Sequence, residues 1–201
     1  TGATRTERKR SLILLAAKDI FAREGYSQAG MEQIARDAGV STATLYAHFP
    51  SKAELFRVVV EATIDDHAVA VRRSTLVEGA PRERLEAFAT VYAAFYCDPT
   101  SRALFRMVTA EHRRFPGIAR HFRERGRAAL GSVAVALVRD LAARCELRVE
   151  KPSRAAGQLQ GMIEHATLML GLIEGDEVQP SRSPAEIAAD AVETFLARYG
   201  A

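Results

Sequence analysis

The chain has 201 residues, of which 48% are apolar and 26% are charged, with only seven prolines. This composition is ordinary for a globular domain and excludes an intrinsically disordered chain. The net charge is only +3. A nucleic-acid partner would therefore have to be recognised by local clusters of charge rather than by the total.

No apolar run approaches the roughly 18 residues that cross a membrane, and the first apolar run is too short and too soon charged for a signal peptide. We therefore expect no membrane partner. Cys97 and Cys145 lie far apart and form neither a CxxC pair nor a zinc pattern. We interpret them as two reduced, mostly buried thiols, which fits a cytoplasmic location.

Helical periodicity dominates the chain, and no alternating apolar pattern is long enough to predict a sheet, so we predict an all-α fold. The first predicted helix starts at a capping box formed by Thr4 and Glu7 and ends at Gly25 in a left-handed cap. Capping residues, glycines and prolines bound the other predicted helices, over about 31–38, 42–48, 51–73, 81–97, 101–114, 117–145, 153–175 and 183–200.

Two short helices joined by a glycine turn, over residues 31–48, have the shape of a helix-turn-helix. Gly39 is predicted to adopt positive φ, and small or apolar residues would lock the crossing of the helices: Ile34, Ala35, Val40, Leu45 and Phe49. The remaining face of the second helix carries small or hydrogen-bonding groups: Thr42, Ala43, Thr44, Tyr46 and Ala47. Such a face can enter the major groove of DNA, where hydroxyls bond base edges or phosphates.

A cation at the start of the next helix supports this interpretation. Lys52 lies in the first turn, where a positive charge opposes the helix macrodipole at a cost of about 0.3–1 kcal/mol. A DNA phosphate on that turn, beside Lys52, Tyr46 and His48, would reverse the sign of the interaction. Basic residues near the chain start fit a solvated helix face and a set of phosphate contacts equally well: Arg5, Arg8, Lys9 and Arg10.

The sequence GMEQIARDAGVSTATLYAHFPSKAELF resembles the DNA-binding segment of TetR/AcrR-type transcriptional regulators, through the elements IA, AGVS, TLY, HF and a lysine followed three positions later by leucine. The resemblance covers about residues 10–56. It implies a three-helix DNA-binding head, residues 1–56, and a helical ligand-binding and dimerisation body, residues 57–201. It also implies a homodimer on palindromic double-stranded operator DNA that is released by a small molecule.

One position departs from the family pattern. Members usually carry Thr or Ser just before the second helix, where this chain has Ala29 and Gly30. The expected hydroxyl contact to phosphate is therefore absent, and Gln28 or Ser27 is the alternative donor. Further along the chain, FRMVTAEHRRFPGIARHFRERG resembles the body of an AefR-like subgroup.

The body carries aromatic and polar residues that fit either a filled core or a ligand pocket. The candidate ligand contacts are Tyr92, Tyr96, Phe105, His112, Met162 and His165. The last two predicted helices carry wide apolar stripes, which a monomer could bury or, as the resemblance implies, pair with a second copy in a four-helix bundle. The candidate dimer contacts are Leu159, Met162, Ile163, Ala166, Met169, Leu170, Ala188, Ala191, Val192 and Phe195.

We interpret the chain as a ligand-controlled dimeric repressor with an internal cavity for an apolar or aromatic inducer. A ligand-independent regulator or activator with a filled body remains open, as does an interaction module that uses the helix-turn-helix only as a scaffold. An enzyme is disfavoured because the sequence has no nucleophile and base pair, no Gly-rich phosphate loop and no metal-ligand spacing. The adjacent Asp65, Asp66 and His67 point apart on a helix, so we expect no metal or other cofactor.

Overall fold

The structure, a computed structural model, describes residues 4–201. These residues form α-helices and no β-strand, which confirms the predicted all-α class. The helices are α1 (Arg5–Gln28), α2 (Met31–Asp37), α3 (Thr42–His48), α4 (Lys52–Ser74), α5 (Pro81–Cys97), α6 (Pro99–Glu111), α7 (Pro116–Gly126), α8 (Ser132–Ala143), α9 (Pro152–Glu174) and α10 (Pro184–Tyr199). In this part of the chain, no helix has an apolar stretch long enough to cross a bilayer.

Capping residues set the first and last helix starts as predicted. Thr4 Oγ1 accepts a hydrogen bond from the Glu7 amide at 3.2 Å, and Glu7 Oε2 accepts one from the Thr4 amide at 2.6 Å. Ser183 and Glu186 form the same reciprocal box at the start of α10. Each box satisfies amides that the first turn of a helix leaves without a carbonyl partner.

Gly25 does not end α1 in the predicted left-handed cap. Its φ is 78°, which glycine adopts most readily, but its ψ is 167°, far from the left-handed helical value. Helical geometry resumes after it, and the Ala29 amide donates to the Gly25 carbonyl at 3.2 Å. α1 is therefore interrupted at Gly25 and ends at Gln28.

α6 begins two residues before its predicted start. Asp98 Oδ2 accepts hydrogen bonds from the Ser101 amide at 2.8 Å and from the Ser101 hydroxyl at 2.9 Å. Pro99 follows as the first residue of the helix, a position where no intrahelical amide is lost. The Asp-Pro pair is a helix-start signal that the sequence interpretation missed.

The single long helix predicted over 117–145 is divided by a π-helical turn at Arg127–Gly131, which separates α7 from α8. A π turn inserts an extra residue and so changes which face of the helix the following residues occupy. α8 then ends at Ala143, and Cys145 beyond it has a φ of 60° and an exposed side chain. The prediction of buried thiols therefore holds for Cys97 and is wrong for Cys145.

The described residues form two compact units. Unit 1 contains the described residues up to Thr63 together with Ala103–Phe122. Its centre is an aromatic cluster in which the Phe56 ring lies 5.2 Å from Phe21 and 5.1 Å from Tyr26, measured between centroids. Unit 1 thus extends beyond residue 56 and includes a second segment of the chain. A compact unit is not the same as a functional domain, so the predicted domain boundary after residue 56 stays a prediction.

Unit 2 contains Ile64–Arg102 and Arg123–Ala201. In it, α5 packs against α9 and α10, and α8 packs against α9. The core is formed by side chains with almost no exposed surface, including Leu85, Phe88, Ala89, Ala93, Leu141, Ala156, Leu159, Ile163, Ala188 and Val192.

A buried arginine in unit 2 donates hydrogen bonds to backbone carbonyls at the end of α5 and after α9. Arg102 is fully buried; its Nε donates to the Tyr96 carbonyl at 2.6 Å, and its Nη1 donates to the carbonyls of Asp176, at 3.2 Å, and Val178. The side chain passes against Gly171 of α9, where an added Cβ would lie 2.4 Å from Arg102 Cδ. Arg102 therefore ties the junction of α5 and α6 to the segment that follows α9.

We expect Gly171→Ala to lower the free energy of unfolding by about 1–3 kcal/mol, because the new methyl group would displace a buried, hydrogen-bonded side chain. Gly157→Ala on the same helix is the matched control, since nothing lies within 4 Å of its added Cβ. The control should stabilise the helix by up to about 1 kcal/mol. Urea denaturation followed by circular dichroism measures both changes, and equal midpoints would contradict the close approach to Arg102.

Candidate nucleic-acid interface

The turn between α2 and α3 has the predicted geometry. Gly39 has a φ of 67°, in the left-handed region that favours glycine. Its amide donates to the Arg36 carbonyl, and the Val40 amide donates to the Ala35 carbonyl, both at 3.0 Å. The small and apolar residues predicted to lock the crossing of α2 and α3 form what we call the wedge. Its buried members are Ile34, Ala35, Leu45 and Phe49.

α3 depends on its neighbours for its shape. It has only seven residues, and an isolated helix of that length is not stable in water. Ser41 Oγ caps it by accepting a hydrogen bond from the Thr44 amide at 3.1 Å, and the hydroxyls of Ser41 and Thr44 lie 2.9 Å apart. Burial of Leu45 then anchors one face of the helix.

The opposite face of α3 lies at the surface. Thr42, Ala43 and Tyr46 are exposed, Tyr46 with 47% of its surface accessible. Thr44 is half-buried and its hydroxyl is shared with the cap at Ser41. The structure therefore brings a small, hydroxyl-bearing surface together on one short helix, with Thr44 at its inner edge.

The other predicted DNA contacts lie at the ends of α1 and α3. Arg10 is exposed, and its guanidinium lies 5.4 Å from the centroid of the Phe49 ring just after α3. Arg5 and Gln28 are exposed at opposite ends of α1, and His48 is half-buried. Arg10 is thus the member of the basic cluster that the structure links to α3.

Lys52 has partners inside unit 1. Its Nζ donates to the Ala29 carbonyl at 2.8 Å and to the Ser27 carbonyl at 3.2 Å, and it lies 4.9 Å from the centroid of the Tyr26 ring. Burial lowers the pKa of Lys52. The carbonyls at the end of a helix lack intrahelical donors and carry partial negative charge, so this ammonium stabilises the end of α1.

These contacts weaken the inference that Lys52 at the start of α4 indicates a bound phosphate. The unfavourable placement of a cation at the start of α4 is offset by carbonyls of the same chain. A DNA phosphate is therefore not needed to explain the residue. Its role as a phosphate contact stays a prediction.

Ser27 also has an internal partner. Its hydroxyl donates to Glu111 Oε1 at 2.8 Å, at the end of α6, and nearby the rings of Tyr26 and Phe115 lie 5.2 Å apart. These contacts join the end of α1 to residues more than 80 positions away. Ser27 and Gln28 are both exposed, and the role of either as a replacement for the missing family hydroxyl stays a prediction.

The predicted ligand contacts divide between the two units. Within unit 2, Tyr92 and Tyr96 are buried, their hydroxyls lie 3.2 Å apart, and the Tyr92 hydroxyl donates to Glu164 Oε1 at 2.5 Å. Burial is the main cause that raises the pKa of both tyrosines. Sequence reasoning missed Glu164, because a glutamate on an amphipathic helix is usually a surface residue.

Phe105 and His112 belong to unit 1. The Phe105 ring packs edge-on against Phe122, with centroids 4.7 Å apart. His112 is exposed at the end of α6, with Nδ1 2.7 Å from the Thr109 carbonyl. Neither residue belongs to the hydroxyl cluster of Tyr92 and Tyr96.

Met162 and His165 line an open groove between α9 and α10, with a volume of about 750 Å³. The other lining residues are Gln158, Gly161, Thr194, Phe195, Arg198 and Tyr199. Further along α9, Met169 and Ile173 expose 42% and 76% of their surfaces. This groove is open to solvent, so Met162 and His165 do not line an enclosed cavity, and their roles in ligand binding or dimerisation stay predictions.

The predicted dimer contacts differ in how much surface they expose, and their role in a dimer stays a prediction. Some of them are buried inside unit 2 and offer almost no surface to a partner: Leu159, Ile163, Ala188, Ala191 and Val192. Phe195 is also buried but reaches the floor of the groove. Ala166 and Leu170 are half-buried. The sequence pattern did not separate the side of each helix that packs inward from the side that remains exposed.

Asp65 and His67 of α4, which the sequence brought together as possible metal ligands, each contact a different residue. Asp65 accepts hydrogen bonds from Arg125, the closest at 2.6 Å, and the His67 ring packs on Phe95 with centroids 4.3 Å apart. Within residues 4–201, no three side chains of His, Cys, Asp or Glu are grouped so that they could hold a metal ion.

Two family profiles match the chain. The profile described as bacterial regulatory proteins, tetR family, matches residues 13–59. The profile described as the C-terminal domain of an AefR-like transcriptional repressor matches residues 83–201. The first match contains the helix-turn-helix, and the second covers more than half of the chain.

Curated relatives match the chain over less than half of its length. The HTH-type transcriptional activator FasR of Mycolicibacterium smegmatis is 37% identical over 89 residues, which are 44% of this chain and 41% of the relative. The nucleoid occlusion factor SlmA of Vibrio campbellii is 37% identical over 60 residues, 30% of this chain and 31% of the relative. The matches therefore span less than half the length of these relatives.

Solved structures match along nearly the whole chain. A TetR-family transcriptional regulator from Mesorhizobium loti is 30% identical, with a TM-score of 0.90 over 99% of this chain and 100% of that one. The flavonoid-responsive regulator FrrA is 28% identical, with a TM-score of 0.72 over 96% of this chain and 97% of that one.

We expect Lys52→Met to lower the free energy of unfolding by about 1–2 kcal/mol, because two carbonyls at the end of α1 lose a charged donor. Lys151→Met is the matched control, since Lys151 is exposed just before α9 and should change stability by less than about 0.5 kcal/mol. Urea denaturation measures both. Equal stability of the two variants would show that the carbonyl contacts contribute nothing.

Proposed function

Because the chain belongs to the TetR family of bacterial transcriptional regulators, we propose that it is a ligand-responsive repressor that binds a palindromic operator as a homodimer in the cytoplasm. The observation that supports this most directly is the exposed hydroxyl-bearing face of α3, held on a buried wedge. A small, largely apolar or aromatic inducer then releases the protein from DNA.

In this proposal α3 enters the major groove. Thr42, Ala43 and Tyr46 face the DNA, with Thr44 at the inner edge of the contact. Hydroxyls on such a face bond base edges or phosphates, and a methyl group such as that of Ala43 fits beside thymine. The proposed phosphate contacts are Arg5 and Arg10 in the first part of α1, Gln28 at its end, and His48 at the end of α3. Lys52 acts chiefly by fixing the end of α1 beside the start of α4.

The groove between α9 and α10 is the proposed centre of the dimer surface. It is lined by Met162 and His165, and Met169 and Ile173 extend the apolar surface along α9. Contiguous exposed apolar surface of this kind marks protein interfaces. The dimer has to hold two recognition helices about 34–36 Å apart, or a multiple of one DNA turn, for both to enter major grooves on one face.

The ligand-binding part of the proposal rests on unit 2. The buried hydroxyls of Tyr92 and Tyr96 and the half-buried carboxylate of Glu164 supply donors and an acceptor of the kind that orient an aromatic ligand. The similarity to a regulator named as flavonoid-responsive favours a phenolic ligand. To release DNA almost completely, the ligand must prefer the non-binding conformation by about 5.5 kcal/mol.

Activation is the second candidate function. FasR, a relative over 44% of this chain, is named as an activator. The two functions share the DNA contact and differ in what bound protein does to transcription. Transcription in vitro from a promoter that carries the selected operator separates them, since a repressor lowers transcript yield and an activator raises it.

The test of the whole proposal begins with duplexes selected from random DNA by the purified protein. Fluorescence anisotropy then measures binding to the selected and scrambled duplexes, with and without the flavonoid naringenin as a probe. The proposal expects preference for a palindrome and weaker binding with naringenin. Absence of sequence preference would contradict operator binding, whereas binding unaffected by a wider flavonoid panel would leave a ligand-independent regulator.

We expect Tyr46→Phe to weaken operator binding by about 0.5–1.5 kcal/mol with unchanged stability, because it removes a surface hydroxyl and leaves the ring in place. Thr109→Val is the control, because it removes an exposed hydroxyl of α6 that donates to the Phe105 carbonyl and that lies outside both the α3 face and the α9–α10 groove. Anisotropy titrations on the selected duplex measure both affinities. Full affinity in the Tyr46 variant would show that its hydroxyl makes no DNA contact.

We expect Met162→Arg to convert the dimer to monomer, because the new charge would be buried without a partner at the centre of the interface. Ala143→Arg, at an exposed position near the end of α8, controls for the added charge. Sedimentation velocity at micromolar concentration distinguishes the two states. A dimer that persists in the Met162 variant would place the interface elsewhere.

A further inference from the structure

A second pocket in unit 2 has the chemistry of an anion site. It has a volume of about 360 Å³ and lies between the end of α4, the start of α5 and the middle of α8. Two arginines line it, Arg72 from α4 and Arg84 from α5. It shares no lining residue with the groove between α9 and α10 or with the tyrosine cluster.

Arg84 carries the main observation. The residue is 91% buried, with a relative exposure of 9%. Its Nη2 donates to Asp140 Oδ2 at 2.8 Å, but its Nη1 is buried and has no hydrogen-bond partner in the described part of the chain. Nη1 has almost no surface that solvent reaches, so in this conformation Arg84 acts on the pocket through its positive charge, which favours an anionic ligand.

The only carboxylate that lines the pocket does not cancel its positive charge. Asp140 Oδ2 also lies 3.2 Å from Arg144 Nε, so one carboxylate serves two guanidinium groups. The hydrogen bond from Arg84, together with Arg144, holds the pKa of Asp140 below its ordinary value. Arg72 adds a further charge at the exposed rim. The pocket is therefore electropositive where it meets solvent.

The other residues that line the pocket indicate which groups a ligand would carry besides its negative charge. Thr75 and Ser132 place hydroxyls at the pocket, and both hydroxyls donate to carbonyls of their own helix ends, Arg72 and Ala128. Ala136 and Leu137 of α8 form an apolar wall together with Val133. A site with guanidinium groups on one side and methyl groups on the other fits a carboxylate that carries a short apolar chain.

The π turn explains how α8 comes to line the pocket. It occupies Arg127–Gly131, immediately before Ser132, and Ser132 Oγ donates back to the Ala128 carbonyl at 2.5 Å. An inserted residue rotates everything that follows it, and such turns often occur at functional sites. Ser132 and Ala136 are both exposed residues that face this pocket.

We propose that this pocket is a second ligand site, which binds a small carboxylic acid anion with a short apolar chain between Arg72, Arg84 and the α8 wall. The carboxylate accepts hydrogen bonds from the exposed Arg72 and is attracted by the charge of Arg84. The chain lies against Ala136 and Leu137. A volume near the lower limit of ligand pockets restricts the ligand to a few carbon atoms beyond the carboxylate.

Isothermal titration calorimetry of the full chain with sodium hexanoate tests this site without DNA, so the result is independent of the proposed repressor function. We expect saturable binding at millimolar concentration or below. Hexylamine, which has the same chain with a positive charge, should not bind, and inorganic phosphate should bind at least tenfold more weakly. Phosphate binding as tight as hexanoate would overturn the assignment to an acid with an apolar chain.

Two variants locate the binding. Arg72→Ala should weaken hexanoate binding about tenfold or more through loss of a charged donor, whereas Arg73→Ala, the exposed neighbour that does not line the pocket, should stay within twofold. Ala136→Phe should fill the pocket and abolish binding, with Ala143→Phe as its control. Absence of hexanoate binding up to about 10 mM, or equal binding by Arg72→Ala and the unaltered chain, would overturn the proposal.

Discussion

The burial of one side of a seven-residue helix is the constraint on which the DNA-binding surface depends. α3 is too short to be helical by itself, so its conformation comes from Leu45 and Phe49, which are buried against α2. The turn that positions it requires positive φ at Gly39. Only after these requirements are met are Thr42 and Tyr46 presented together on the outer face.

The surroundings of α3 are fixed by contacts that a local pattern does not reveal. Lys52 connects the start of α4 with the last carbonyls of α1, and Ser27 connects α1 with Glu111 at the end of α6. Both contacts lie within unit 1. The recognition helix therefore rests on packed segments that include residues from the second half of α6.

Local signals predicted the fold well because they act over three or four residues. The caps at Thr4 and Ser183 and the turn at Gly39 are examples, since each is decided by neighbours along the chain. Prediction failed where the local structure depends on packing against residues that are distant in the sequence. Nothing near Arg102 in the sequence shows that its guanidinium is buried against carbonyls from the segment after α9. No sequence pattern predicts the π turn at Arg127–Gly131.

The candidate sites show the same difference. The residues of α3 were predicted from a pattern that includes both the buried and the exposed side of the helix, and the structure exposes Thr42, Ala43 and Tyr46 but half-buries Thr44. The apolar stripes of α9 and α10 are too wide to carry this information, because they include exposed residues such as Met169 together with the buried ones. As a result Leu159 and Val192, which form the core, were grouped with Met169, which is exposed.

Hydroxyl-radical footprinting on a duplex selected by the protein tests the central claim most directly, because it reports which grooves are covered on each strand. If two α3 helices of a dimer read the operator, protection should appear as two regions on one face of the DNA, with centres one helical turn or a multiple of it apart, about 10–10.5 base pairs per turn. A single protected region, or uniform protection along the duplex, would contradict the account.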